Sequence, residues 1–259
     1  MREAALDKLE RLGLSQAAAL LDTRAEQAAR DEMSYTDFLD ALLDDEVQAR
    51  RSRFLATRTK LAGFPFIKRL EDFRFEDQPG VDRKQVMELA TLGFLARRDN
   101  VILLGPPGVG KSHLSVALGL RAIDEGHSVY FITLDRLVSD LMRAHHAHTS
   151  ERRMAVYLRP ALLIIDEVGY LPLDRLGANL LFQVISRRYE RSSIILTSNK
   201  SYGEWGNFLG DSMLAAAALD RLLHHSVTLN IRGDSWRLRE KRKAGILASP
   251  PPAEGVTNA

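Results

Sequence analysis

Apolar residues recur at helical spacing through the first sixty positions and then give way to short, continuous runs. Leu6, Leu9, Leu12 and Leu14 predict a short amphipathic helix ended at Gly13. Ser15 is placed to cap a second helix carrying Ala17, Ala18, Leu20 and Leu21. Ser34 or Thr36 can cap a longer third helix with Phe38, Leu39, Leu42, Leu43, Val47, Phe54 and Leu55. Gly63-Phe-Pro65 breaks the period, and residues 63–82 hold Phe64, Phe66, Phe73 and Phe75 without one, which reads as a linker lying against the next domain. Residues 83–97 predict one helix with Val86, Leu89, Ala90, Phe94 and Leu95 on its apolar side.

From residue 100 the chain alternates. Strand-like runs at 101–104, 128–133, 161–166, 192–198 and 226–231 are separated by helical segments at 111–125, 134–147, 150–158, 174–190 and 211–223. The strands are unbroken apolar runs, as expected where both faces of a parallel sheet are covered. The pattern predicts a three-layer α/β domain. The organisation expected is a helical domain at 1–62, a linker at 63–82, the α/β domain at 83–247 and a disordered tail at 248–259, rich in proline from Ser249 onward.

Composition narrows the class. The 259 residues include no cysteine, which excludes disulfides and thiol–metal sites and fits a reducing cytoplasm. No apolar stretch reaches the roughly 20 residues of a membrane span, and the acidic start Met1-Arg-Glu-Ala-Ala-Leu-Asp is not read as a signal peptide. The net charge of +2 predicts no partner, but its distribution is uneven. Arg50, Arg51, Arg53, Arg58, Lys60, Lys68 and Arg69 follow one another with no acid between Val47 and Leu70. A second basic stretch runs from Arg232 to Lys243. Such runs suit a polyanion, or else a solvated helix face with a few structural ion pairs. The acidic first half and basic second half of the third helix also suit its dipole.

The chemistry starts at Gly105-Pro106-Pro107-Gly108-Val109-Gly110-Lys111-Ser112, directly after the run Val101-Ile-Leu-Leu104. Glycines let successive N–H groups turn toward anionic oxygens, and the helix that follows adds its positive end. Lys111 supplies a point charge for β- and γ-phosphates, and Ser112 a hydroxyl for Mg²⁺. This is a phosphate-binding loop in its required strand–loop–helix setting.

Leu162-Leu-Ile-Ile-Asp166-Glu167 delivers two acids at a strand's C-terminal edge, where ligands of parallel sheets sit. Asp166 is placed to hold the metal, and Glu167 to polarise a water for in-line attack on the γ-phosphate. Ile194-Ile-Leu-Thr-Ser-Asn199 ends a neighbouring strand in polar residues, and Asn199 is a candidate to orient that water or sense the γ-phosphate. Arg221 precedes the last strand, where it can reach a neighbouring subunit's nucleotide. Arg237 can fold back over the chain's own phosphates. For either arginine, a surface ion pair is the plain alternative. His145, His146 and His148 lack converging partners and read as a solvated helix end.

Together these motifs resemble an AAA+ ATPase: Walker A at 105–112, Walker B at 162–167, sensor 1 at Asn199, arginine finger at Arg221 and sensor 2 at Arg237. The stretches Phe64-Pro-Phe-Ile-Lys-Arg-Leu-Glu-Asp-Phe, Asp82-Arg-Lys, Leu-Gly-Pro-Pro-Gly-Val-Gly-Lys-Ser-His-Leu, Ile-Ile-Asp-Glu-Val-Gly-Tyr-Leu-Pro and Leu-Asp-Arg-Leu-Leu-His-His resemble the IstB family of insertion sequences more closely still. That family is similar to DnaC helicase loaders and to the ATPase part of the initiator DnaA.

The resemblance implies ATP with Mg²⁺ as cofactors and ATP hydrolysis. His113 joins the loop as a nucleotide-binding residue. The resemblance further implies oligomers formed through the ATP sites, double-stranded DNA bound with little sequence preference, an IstA-type transposase as partner, and a bacterial cytoplasmic setting. The seven-base run at 50–69 is then part of the expected DNA surface. Two departures stand out: the lid at 232–247 is minimal, and Trp236 stands where tyrosine is expected. A replicative helicase loader is the runner-up reading. A small-molecule P-loop kinase is the third, and it leaves Arg221 and the helical N-terminal domain unexplained.

Overall fold

The computed structural model describes residues 2–233 together with Ser235 and Trp236. The chain divides into two compact units, Met1–Lys60 and Leu61–Ala259.

The first unit contains α1 (Arg2–Arg11), α2 (Ser15–Arg30) and most of α3 (Tyr35–Ala62). Gly13 ends α1 with a φ of 69°, and the bonds Gly13 N–H to Glu10 O and Leu14 N–H to Leu9 O close a Schellman turn. Ser34 caps α3, its hydroxyl accepting from Asp37 N–H at 3.2 Å. Ser15 does not cap α2: it is the helix's first residue, and its side chain bonds none of the open N–H groups. Glu46 of α3 takes that role instead, accepting from Gln16 N–H at 2.7 Å and Ala17 N–H at 3.1 Å. A carboxylate serves better than a hydroxyl there because it also balances the positive helix end.

The second unit is a five-stranded parallel sheet: β1 (Asn100–Leu104), β2 (Val129–Thr133), β3 (Leu162–Val168), β4 (Ser193–Ser198) and β5 (Ser226–Asn230), in the order β2-β3-β4-β1-β5. Side chains alternate across it. Ile102, Leu104, Leu163, Ile165, Ile194 and Leu196 share one core with α7 (Leu134–His146), α8 (Ser150–Leu158), α9 (Arg175–Arg188), α10 (Trp205–Leu209) and α11 (Ser212–Leu223). On the opposite face lies α6 (Lys111–Asp124), where Gly119 meets Ile164 and Phe64 so closely that an added Cβ would sit 2.8 Å from Ile164 Cδ1. The architecture is therefore α/β with helices on both faces of a parallel sheet, as the unbroken apolar runs predict.

The helix expected over 83–97 is two pieces, α4 (Arg83–Leu89) and α5 (Gly93–Arg97). Leu92 takes a left-handed φ of 62° between them, which turns the chain and leaves both Leu92 and Phe94 buried. Burial of two large side chains offsets the backbone cost that periodicity alone does not reveal. Residues 63–82 carry two 3-10 turns, Leu70–Asp72 and Phe75–Asp77. They belong to the second unit: Arg69 pairs with Asp124 on α6, and its carbonyl bonds His113 Nε2 at 2.9 Å. The lid and tail expectations fall mostly outside the described residues.

Candidate nucleotide-binding site

β1 and β3 end at the same edge of the sheet with β4 between them. Two strand spacings put the loop and the acids about 10 Å apart, and the polar end of β4 fills the interval. A cavity of about 490 Å³ opens there, lined by Gly108 to His113, Asp166, Glu167, Thr197, Phe73 and Trp236 among others.

The loop is closely packed from behind. Gly110 has a φ of 97°, and a Cβ on it would lie 2.6 Å from the Phe73 ring. Gly105, at φ 151°, would place one 2.3 Å from Ile231 O. Both positions need glycine for conformation and for room. Lys111 is buried, and its Nζ donates to the Gly105 and Pro106 carbonyls at 2.6 and 2.8 Å.

Ser112 Oγ donates to Asp166 Oδ1 at 3.0 Å, so the loop hydroxyl and the strand-end carboxylate meet. Thr197 donates to the same carboxylate oxygen and accepts from Glu167 N–H at 3.1 Å. Glu167 sits at a one-residue bulge, where the β3–β4 register shifts between Ile165 and Val168, and has a left-handed φ of 62°. The bulge separates the two acids: Asp166 is 5% exposed, whereas Glu167 is exposed and lines the cavity. Re-aiming a side chain is what bulges do beside functional sites. A serine hydroxyl beside a carboxylate is an all-oxygen donor pair, which fits Mg²⁺ and not a softer metal. His113 also lines the cavity, edge-on to Phe73. Burial pushes its imidazole down from the ordinary value, and because a carbonyl can only accept, Nε2–H donates to Arg69 O.

The family model described as "IstB-like ATP binding protein" matches residues 7–244. This chain belongs to the IstB-like ATP-binding family. A putative ATP-binding protein of insertion sequence IS21 from Pseudomonas aeruginosa is 52% identical over 92% of this chain and 90% of its own length. Its counterpart in insertion sequence IS5376 of Geobacillus stearothermophilus is 48% identical over 93% and 96%. Among solved structures, DnaI shares the fold with a TM-score of 0.56 at 18% identity, over 64% of this chain and 91% of DnaI. AMPPCP-bound DnaA from Aquifex aeolicus matches at 0.53 and 19%, over 72% of this chain and 58% of DnaA.

The IstB-like chain does not gather every candidate residue in one place. Asn199 does not line the cavity, where Thr197 stands instead, and among the described residues its buried Oδ1 has no hydrogen-bond partner. Arg221 lies at the opposite edge of the sheet. It lines a second cavity with Asn100 and Arg98, bonds Ala217 O at 3.0 Å and stacks over Phe182. The length of β1, about 16 Å at 3.3 Å per residue, separates it from its own loop. Arg237 lies outside the described residues; just before it, Trp236 N–H bonds Gly108 O at 3.0 Å.

The basic run divides. Arg50 and Arg53 pair with the buried Glu46, and Arg69 pairs with Asp124. Arg58 stacks on Phe54 at 4.4 Å. Lys68 lines the nucleotide cavity, and Arg51 and Lys60 stay exposed. Sequence reasoning missed Thr197, Phe73, Gln78 and Tyr170 as cavity residues. Thr197 carries a signal, a polar residue inside an apolar strand end. Phe73 shows only as an aromatic in a segment without a period.

Proposed function

We propose that this IstB-like chain hydrolyses ATP with Mg²⁺ at the junction between two copies and uses the cycle to assemble on, and leave, duplex DNA in support of an IstA-type transposase. The observation that carries the reading is the convergence of Ser112, Asp166 and Glu167 on one cavity.

Lys111 exchanges its two loop carbonyls for β- and γ-phosphate oxygens, a short movement that leaves its charge in place. Ser112 and Asp166 hold Mg²⁺, which neutralises phosphate charge. Glu167 accepts a proton from the attacking water, its backbone fixed through Thr197. Asn199, just past β4, turns toward the γ-phosphate to act as sensor 1, and Arg237 is assigned the sensor 2 role. Loop N–H groups from Gly105 to His113, with Pro106, Pro107 and Val109 shaping the turn, cradle the phosphate chain. Arg221 is one sheet-length from its own site, which favours action on the next copy's nucleotide.

The insertion-sequence names of relatives at 52% and 48% identity support the transposition reading over the helicase loader. DnaI shares the fold at 18% identity and DnaC at 20%. Leu39, Leu43, Val47 and Phe54 form an exposed stripe on α3, suited to the transposase contact. DNA contact falls to Arg51, Lys60 and whichever of Arg50, Arg53, Arg58, Lys68 and Arg69 can leave their present contacts, with a steep salt dependence. The setting is the bacterial cytoplasm.

Mixing two inactive variants tests the shared site. Glu167→Gln and Arg221→Ala should each lose hydrolysis alone, and their mixture should regain part of it, because some junctions then join an intact Arg221 to an intact Glu167. A mixture as inactive as its parts sinks the shared site.

A further inference from the structure

We infer that Glu190, His224 and His225 form a binding site for a zinc-class transition metal, separate from the nucleotide's Mg²⁺ site. Glu190 lies in the turn between α9 and β4, and the two histidines join α11 to β5. Both turns lie at the sheet edge opposite the phosphate loop. One donor atom from each of the three residues lies within 4.8 Å of the other two. Glu190 Oε1 is 3.9 Å from His224 Nδ1 and 4.0 Å from His225 Nε2. Tetrahedral bonds of about 2.0–2.1 Å need donors about 3.3 Å apart, and rotation of exposed side chains closes that gap.

Two further features favour a cation there. α9 and α11 both direct their negative C-terminal ends at this edge. The backbone is pinned on both sides: Asn100 N–H bonds His225 O at 2.8 Å, and Arg98 Nη1 bonds Glu190 O at 2.9 Å. Two imidazoles and one carboxylate suit zinc, nickel or copper and not Mg²⁺. Arg98 and Arg221 nearby weaken the attraction for a dication without supplying a competing acceptor.

The site needs no nucleotide, so its test is independent of the ATP reading. Full-length protein is titrated with Zn²⁺ against a chromogenic chelator, without ATP. Wild type should hold one zinc per chain. Glu190→Gln and His225→Ala should bind at least tenfold more weakly, Arg221→Ala should bind at least as tightly as wild type because a repelling charge is gone, and the pair His145→Ala/His146→Ala should bind as wild type does. Circular dichroism of each metal-free variant identifies any that fails to fold. Should one fail, His224→Gln replaces it. Zinc bound equally by wild type and a folded His225→Ala protein overturns the site, as does binding that disappears in the His145/His146 double variant.

Discussion

The two units hold themselves together by different means. Among the described residues of the first unit only Ala17, Leu42 and Glu46 are fully buried, and one of those is an acid. Glu46 caps α2 and receives Arg50 and Arg53, while Arg24 and Asp45 form a two-pronged pair between the same helices. In the sheet unit every residue of β1 and β4 is buried. The first unit thus spends its charges on its own architecture. The second rests on apolar burial, with Asp166 and Glu167 placed at the end of β3 beside the cavity. Exposed ion pairs contribute at most about 1 kcal/mol each, so the helical unit should be the more readily loosened by salt and acid.

The sharpest probe of this contrast is Glu167→Gln. Hydrolysis should fall by roughly 10²–10⁴-fold, with ATP affinity and the melting temperature close to wild type, because Glu167 is exposed and outside the core. Steady-state hydrolysis, nucleotide titration and thermal melts check it together. A large loss of stability would mean that the sheet edge is structural after all.

That probe follows from what was legible. Continuous apolar runs mark the strands inside the sheet, since a strand covered on both faces has no polar alternation to lose, whereas the edge strand β5, Ser-Val-Thr-Leu-Asn, alternates and is only half-buried. Asp166 and Glu167 stand out because nothing else places two acids at the end of such a run. The bulge that parts them is silent in the sequence, because it arises from β3–β4 register. The partners of Glu46 are silent for the same reason: a cap supplied from another helix has no local spacing. Arg50 and Arg53 look like part of a polyanion surface until Glu46 is seen beneath them. Leu92 hides a break in an otherwise helical pattern, since burial selects its backbone.

A second probe addresses a buried charge of the sheet unit that is held by backbone carbonyls away from the nucleotide cavity. Arg188 is 1% exposed and donates to the carbonyls of Tyr157, Pro160 and Ser193 at 2.7, 3.0 and 2.8 Å. Burial pushes its guanidinium down to about 9, so it stays charged at neutral pH. Arg188→Met leaves those carbonyls without a donor and should cost roughly 3 kcal/mol or more. Urea unfolding followed by tryptophan fluorescence reads this unit, because both Trp205 and Trp236 lie in it. A loss below about 1 kcal/mol would show that apolar packing alone suffices here.

The smallest effect is expected from Glu46→Gln. The Arg50 guanidinium, helped by the Ala17 and Gln16 N–H groups, holds the Glu46 carboxyl below its ordinary range. A depressed folded value means stabilisation that is full above the unfolded value and lost as pH falls through the folded one. The variant should therefore melt lower than wild type at pH 7 by circular dichroism, and the difference should shrink as pH drops below about 4.3. A gap that persists into strong acid would assign the role of Glu46 to packing.

The strand order carries a consequence for the birth of the molecule. β1 bears the phosphate loop, yet both of its neighbours, β4 and β5, come from much later in the chain. At ordinary elongation rates the ribosome needs on the order of ten seconds to pass from β1 to β5. Until β4 is made β1 is an apolar strand with two bare edges, and one edge stays bare until β5 follows. A nascent chain therefore becomes able to hold a nucleotide only once β4 and β5 have been made, and ATP is positioned to act as a latch on the closed sheet.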